Sequence, residues 1–157
     1  MLGLWVGLSA AVSEAEVVQL LRRWFPAMPA AARAEALAAT EAPWPPIVYW
    51  VEYRSEVADF PTYVGFDCFP GPAEHAVAAG IVLARRFAAA LSCKSLCDGS
   101  GLGDAPSPYW SLLWDGDRSF LADDCNTAFA DGDGRLVRVV RELPLPALDL
   151  DAHGALI

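Results

Sequence analysis

The chain has 157 residues, 55% of them hydrophobic and 20% charged, with 6 Trp, 4 Tyr and 7 Phe; this is one domain's length, and its apolar and aromatic content excludes an intrinsically disordered chain. Eleven Lys and Arg against twenty Asp and Glu leave a formal charge of −9, which repels phosphate backbones and excludes nucleic acid as the expected partner. A basic partner suits this balance better.

The opening Met1-Leu2-Gly3-Leu4-Trp5-Val6-Gly7-Leu8-Ser9-Ala10 is apolar enough to mimic a secretory signal, but no Lys or Arg precedes Arg22. Without a positive n-region, residues 3–9 read as a first strand and the protein as cytoplasmic. Ser13-Glu14-Ala15-Glu16 supplies a capping box, and Val17, Leu20, Leu21 and Trp24 continue it at helical spacing. Pro26 and Pro29 interrupt the pattern before an Ala-rich piece carrying Arg33, Glu35 and Leu37, so the first helical region is expected to be kinked or split.

Pro43-Trp44-Pro45-Pro46 stops helix. Over 47–54, Ile47, Tyr49, Val51 and Tyr53 alternate with Val48, Trp50, Glu52 and Arg54, the pattern of a central strand. Residues 62–69 form its expected antiparallel partner, ended by Pro70-Gly71-Pro72. A helix over 73–91 aligns Val77, Ile81, Ala84, Ala88 and Leu91 on one stripe. Residues 92–108, rich in Gly, Ser, Asp and Pro, read as a long surface loop. Segments 109–114 and 118–122 flank Asp115-Gly116-Asp117 as a hairpin, and a last strand over 135–141 is entered through Asp131-Gly132-Asp133-Gly134.

The order β-α-β-β-α-β-β-β predicts an α+β fold whose first six elements match the split β-α-β plan of ferredoxin-like sandwiches. An antiparallel sheet with extra C-terminal strands and two helical segments on one face is expected. One domain spans 1–157, with a folded core over 1–143 and a lightly ordered tail over 144–157 that begins at Pro144 and Pro146. No run of 18 or more apolar residues suggests a membrane span.

Cys68, Cys93, Cys97 and Cys125 are even in number but sparse, which fits reduced thiols whose role is packing. A zinc site needs four ligands, and neither His75 nor His153 has the paired spacing to complete one around Cys93 and Cys97. Calcium loops fail in register: counting from Asp131 puts Leu136 at the obligatory glycine, and counting from Asp115 puts Phe120 there. Nucleophilic catalysis lacks a placed histidine and carboxylate, and no P-loop, Gly-x-Ser-x-Gly or dinucleotide fingerprint occurs. Gly99-Ser100-Gly101-Leu102-Gly103 follows the predicted helix rather than a strand, which argues against a phosphate cradle. No catalytic set, metal or cofactor is expected, and the chain is read as a non-enzyme.

A distribution of charge remains. Asp115, Asp117, Asp123, Asp124, Asp131 and Asp133 crowd the segment 115–133 against the single basic Arg118. Aspartate is a good turn residue and keeps loops soluble, which explains each of them singly. The functional reading is that hairpin loops at one end of a sheet gather these charges into a patch that enters a basic cleft and steers association. Trp44, Tyr109, Trp110 and Trp114 lie near this segment in sequence as candidate contact residues, some of which must be core.

In size and charge, in the strand Val48-Tyr49-Trp50-Val51-Glu52-Tyr53, and in the hairpin Tyr109-Trp110-Ser111-Leu112-Leu113-Trp114-Asp115-Gly116-Asp117 followed by Ala122-Asp123-Asp124, the chain resembles the small, acidic, tryptophan-rich immunity proteins of bacterial polymorphic or type VI secretion toxins. The resemblance implies tight stoichiometric binding that blocks a toxin's active site or substrate entry, with a nuclease-like toxin bearing a basic cleft as the favoured partner. Two alternatives stand beside it. One is a small-molecule-binding or regulatory ferredoxin-like domain, which predicts a pocket. The other is an enzyme using the 92–108 loop with Cys125 or Cys97, which predicts a thiol of depressed pKa.

Overall fold

The computed structural model describes residues 3–39, 43–125, 127 and 136–157. Strand β1 (Leu4–Leu8) buries Leu4, Val6 and Leu8 on one face and sends Trp5 to the other. It pairs antiparallel on both sides, with β4 (Thr62–Cys68) and β5 (Ser95–Asp98). The apolar N-terminal run is therefore a central strand, covered on both edges.

Helix α1 (Glu14–Trp24) begins at the expected box: the Glu16 amide donates to Ser13 Oγ at 3.2 Å and the Ser13 amide to Glu16 Oε2 at 2.8 Å. Val17 and Leu21 are its fully buried residues. After the prolines, the Ala-rich piece divides into strand β2 (Ala30–Ala32) and a short helix α2 (Arg33–Ala38). β2 runs parallel to β3 (Ile47–Tyr53), so the sheet is mixed rather than wholly antiparallel. Pro29 cannot continue a helix, and its carbonyl instead accepts the Ile47 amide, which draws the alanines into the sheet.

β3 and β4 pair antiparallel as expected. A 3-10 turn over Ala73–His75 leads into α3 (Ala76–Leu91), buried on most of its circumference through Ala79 to Ala84, Phe87 and Ala88. Both α1 and α3 share a core with Leu4, Val6, Leu8, Val64 and Phe66, so they cover the same sheet face.

The loop expected over 92–108 begins instead with β5. Ser92 adopts a left-handed φ of 50°, which ends α3 and turns the chain straight back into the sheet. Ser95 donates its hydroxyl to the Ala84 carbonyl at 2.6 Å, and Leu96 and Cys97 are buried on opposite faces. The glycine run at 99–103 thus follows a strand, although it leads to β6 (Trp110–Asp115) and not into a helix.

β6 turns at Gly116, φ 63°, into β7 (Arg118–Asp123), confirming the hairpin. β8 (Arg138–Glu142) is the edge strand, and its pairing shifts between Leu121 and Ala122 so that Val140 is an extra, bulged residue. Among the described residues the sheet order is β2-β3-β4-β1-β5-β6-β7-β8. The fold class is α+β.

The segment 144–157, expected as a lightly ordered tail, is docked on the helix face. Leu150 is buried, and Leu145, Leu148 and Leu156 pack against the core. Arg85 donates to the Leu148 carbonyl, and Arg86 donates to the Leu150 carbonyl and to Asp149, all at 2.6–2.7 Å. The two arginines of an otherwise apolar helix thereby find their partners, which the prolines of the tail concealed in the sequence.

On the opposite face the loop 54–61 folds inward, burying Val57 and Phe60 against Leu96, Leu113 and Ala122. Beside it Trp5 stacks on Tyr63 at 5.7 Å, and Trp50 fills the space that Gly65 leaves open. No helix among the described residues is long and apolar enough to cross a membrane.

Candidate functional site

The hairpin register decides where the sequence-predicted carboxylates fall. Asp115 pairs with Arg118 beside the turn, whereas Trp110 pairs with Asp123 at the open end. Asp115 and Asp117 are thus separated from Asp123 and Asp124 by five rungs, about 17 Å at ~3.4 Å per residue. The structure does not gather them into one patch, because an antiparallel hairpin sends residues near its turn and near its mouth to opposite ends of the sheet. Asp131 and Asp133, with their turn, lie outside the described residues.

At the open end the carboxylates are engaged. Burial opposes ionisation of Asp123, yet the Cys125 amide and Arg138, 2.9 Å away, hold its carboxyl below the usual range. Asp124 is only 5% exposed and accepts from Ser111 Oγ at 2.6 Å, while its other oxygen has no hydrogen-bond partner. Burial pushes this carboxyl up, against the opposing Ser111 bond. Trp110 donates to the Ala105 carbonyl, Trp114 is core, and Tyr109 is 43% exposed. Trp44 is equally exposed, but it precedes β3, with β4, β1 and β5 between that strand and β6.

A groove of about 890 Å³ reaches from the turn end, at Asp115 and Gly116, to Val137 and Val139, which the β7–β8 register sets beside Ala122 and Asp123. Its apolar lining comes from Phe60, Leu113, Val137 and Val139, and its acidic rim from Asp59 and Asp115. Asp117 is exposed in the adjoining turn. The left-handed Ser92 brings Cys93 and Lys94 to this end. Ser9 then clamps the Lys94 backbone, its Oγ accepting the Lys94 amide at 2.8 Å and its own amide donating to the Lys94 carbonyl at 3.0 Å. The Lys94 ammonium lies 3.5 Å from Asp115.

Loop 54–61 holds its wall through three backbone bonds: Arg54 to Pro61, Val57 to Arg54 and Phe60 to Val57. Of the groove residues, sequence reasoning found Asp115 alone and missed Asp59, Phe60, Lys94 and Val139. A signal existed in the alternation of Val137 and Val139. The inward fold of 54–61 left none.

No family model, curated protein or solved structure matches the chain. The groove's own chemistry must therefore carry its reading.

A lining that mixes apolar side chains with the carboxylates of Asp59 and Asp115 suits a side chain with a hydrophobic stem and a cationic head, as in lysine or arginine. The thiols point away from nucleophilic use. Burial raises the pKa of Cys93 and of the fully buried Cys97, and the bond to Asp123 raises that of Cys125. The thiol-enzyme alternative required a depressed value. Among the described residues no three His, Cys, Asp or Glu side chains are placed to hold a metal ion.

Proposed function

We propose that this chain is a cytoplasmic immunity protein that neutralises a cognate antibacterial toxin by direct stoichiometric binding, blocking its active site or substrate entry. A nuclease-like toxin with a basic cleft is the favoured target. The observation that carries the reading is the groove beside the hairpin turn, lined by apolar side chains together with Asp59 and Asp115, on a chain of net charge −9. Charge of this sign accelerates encounter with a basic surface, and the apolar part of the lining supplies contact that slows dissociation. Leu136, Val139 and Val140 are exposed at or next to β8, and of these Val139 lines the groove.

The scaffold is read as a ferredoxin-like split β-α-β unit. Its support is the run β1-α1-β3-β4-α3-β5 with spatial order β3-β4-β1-β5, to which β2 and β6 to β8 are appended. The sixth element of that plan is β5, not the 109–114 strand to which the sequence pattern assigns it.

Co-expression with the product of the neighbouring gene tests the function. Suppressed toxicity, with a complex that co-elutes at low salt and weakens at high salt, is the expected result. A neighbour that is not toxic and forms no complex overturns it. The groove's volume also falls in the range of small-molecule sites, and ligand-induced thermal stabilisation would then favour the regulatory-domain reading.

A further inference from the structure

Resting on the binding role proposed above, we propose that the groove receives an arginine or lysine side chain from an extended, partly apolar segment of the partner protein, and that Lys94 is an internal occupant which this side chain displaces from Asp115.

Lys94 is the one basic residue among the described residues lining the groove. Its backbone is fixed on both sides by Ser9, but its head group is not: the ion pair with Asp115 is 3.5 Å long, and the two side chains are 55% and 54% exposed. A pair so exposed holds weakly and exchanges readily. The neighbouring cations make their hydrogen bonds to other carboxylates, although Arg118 also acts through space on Asp115 and Asp117. Arg118 makes two bonds to Glu142 at 3.1 and 2.8 Å, Arg138 bonds Asp123, and Arg141 bonds Asp104. Displacing Lys94 therefore exposes Asp59, Asp115 and the adjacent Asp117, and among the described residues no other basic side chain lines the groove, although Arg118 in the neighbouring turn offsets part of the charge of Asp115 and Asp117.

Charge complementarity then selects a cation, and the apolar part of the lining selects its carrier. Val137 and the half-exposed Val139 cover the stem of a long side chain, backed by the nearly buried Phe60 and Leu113. Val139, the half-exposed valine of the lining, suits an apolar neighbour on the same incoming segment. A free metal ion or a small polyamine would leave this surface unused.

The test uses the fluorescein-labelled peptide acetyl-Leu-Arg-Leu-Arg-Leu-amide and its counterpart with citrulline, a neutral isostere, in place of arginine. Fluorescence anisotropy against the full chain is compared with alkylation of Cys93, which lines the groove. Lys94→Ala and Lys94→Met should each bind the arginine peptide about twofold to fivefold tighter than wild type, the range of an exposed ion pair. Asp115→Asn should weaken it, the citrulline peptide should bind poorly to all, and bound arginine peptide should slow Cys93 alkylation.

Unchanged or weaker binding by both Lys94 variants, equal binding of the citrulline peptide, or unprotected Cys93 overturns the proposal. If toxicity is suppressed by a protein that fails these peptide tests, the displacement proposal falls and the immunity reading stands. If the peptide results hold but the neighbouring gene product is harmless and unbound, the immunity reading falls and the groove assignment stands.

Discussion

The Arg33 guanidinium lies over the Trp50 indole, 3.5 Å from the ring centroid, and is held there by Asp67, whose Oδ1 accepts from Nη2 at 2.7 Å. The indole in turn rests on Gly65, where a Cβ would collide with its six-membered ring. A residue without a side chain, an aromatic and a cation are thus stacked across α2, β3 and β4.

This stack predicts two effects on stability. Gly65→Ala should cost about 1–3 kcal/mol through overpacking against Trp50. A double-mutant cycle of Arg33→Ala with Trp50→Leu should give a coupling of about 0.5–1 kcal/mol, at the low end because the guanidinium is partly solvated. Urea denaturation measures both, and additive single effects would dissolve the proposed contact.

Asp124 should make the fold more stable on mild acidification. Its carboxyl is raised by burial, with Asp123 and Asp98 adding to the effect against Ser111. The folded state therefore binds the proton more tightly than the unfolded chain does. The resulting penalty is absent below the ordinary aspartate pKa, grows as pH rises toward the folded value, and is complete above it. Asp124→Asn should raise the urea midpoint at pH 7 and flatten its change within that window. A wild-type midpoint that only falls from pH 7 toward pH 4, with the same slope in the variant, would contradict this.

The docked C-terminal segment should be a stability determinant. Leu150 is 3% exposed, and Leu150→Ala should cost about 2–5 kcal/mol, the range for emptying a buried leucine site. Arg86→Ala removes donors to both Asp149 and the Leu150 carbonyl. Amide exchange over 148–157 should be slow in the wild type and fast in this variant; rapid exchange in both would mean that the segment is not held.

The thiols should be poor nucleophiles. Cys97 is fully buried and its pKa raised, so iodoacetamide should reach it only through unfolding, while Cys93 should react slowly and Cys125 no faster than a free cysteine. Peptide mass spectrometry of a labelling time course decides this. A fast-reacting Cys97 or Cys125 would revive the thiol-enzyme alternative.

What the sequence disclosed were features with local physical causes. The Ser13–Glu16 box, the Asp-Gly turn at 115–116 and the alternation of Ile47, Tyr49, Val51 and Tyr53 are each complete within a few residues, and each stands where the pattern put it. The features it concealed depend on distant partners. Ser95–Asp98 is too short to display alternation and is a strand because β1 and β6 border it. Ala30–Ala32 has helical composition and is drawn to the Ile47 edge. The tail is ordered by Arg85 and Arg86, some 60 residues earlier. The candidate site divides likewise: Asp115 announced itself in the turn, whereas Phe60 and Lys94 reach it only through the folding of loop 54–61 and the left-handed Ser92.

The position of β1 bears on how the chain acquires its fold during synthesis. Leu4–Leu8 is among the most apolar segments of the chain, and it leaves the ribosome before either strand that will flank it. The β4 partner arrives more than fifty residues later and β5 about ninety. At ~5–20 residues per second the central strand stays uncovered for several seconds. Such long-range closure slows folding and lengthens exposure to self-association. The nascent chain should therefore depend on holding chaperones more than its modest size implies, and that dependence should end when Ser95–Asp98 emerges.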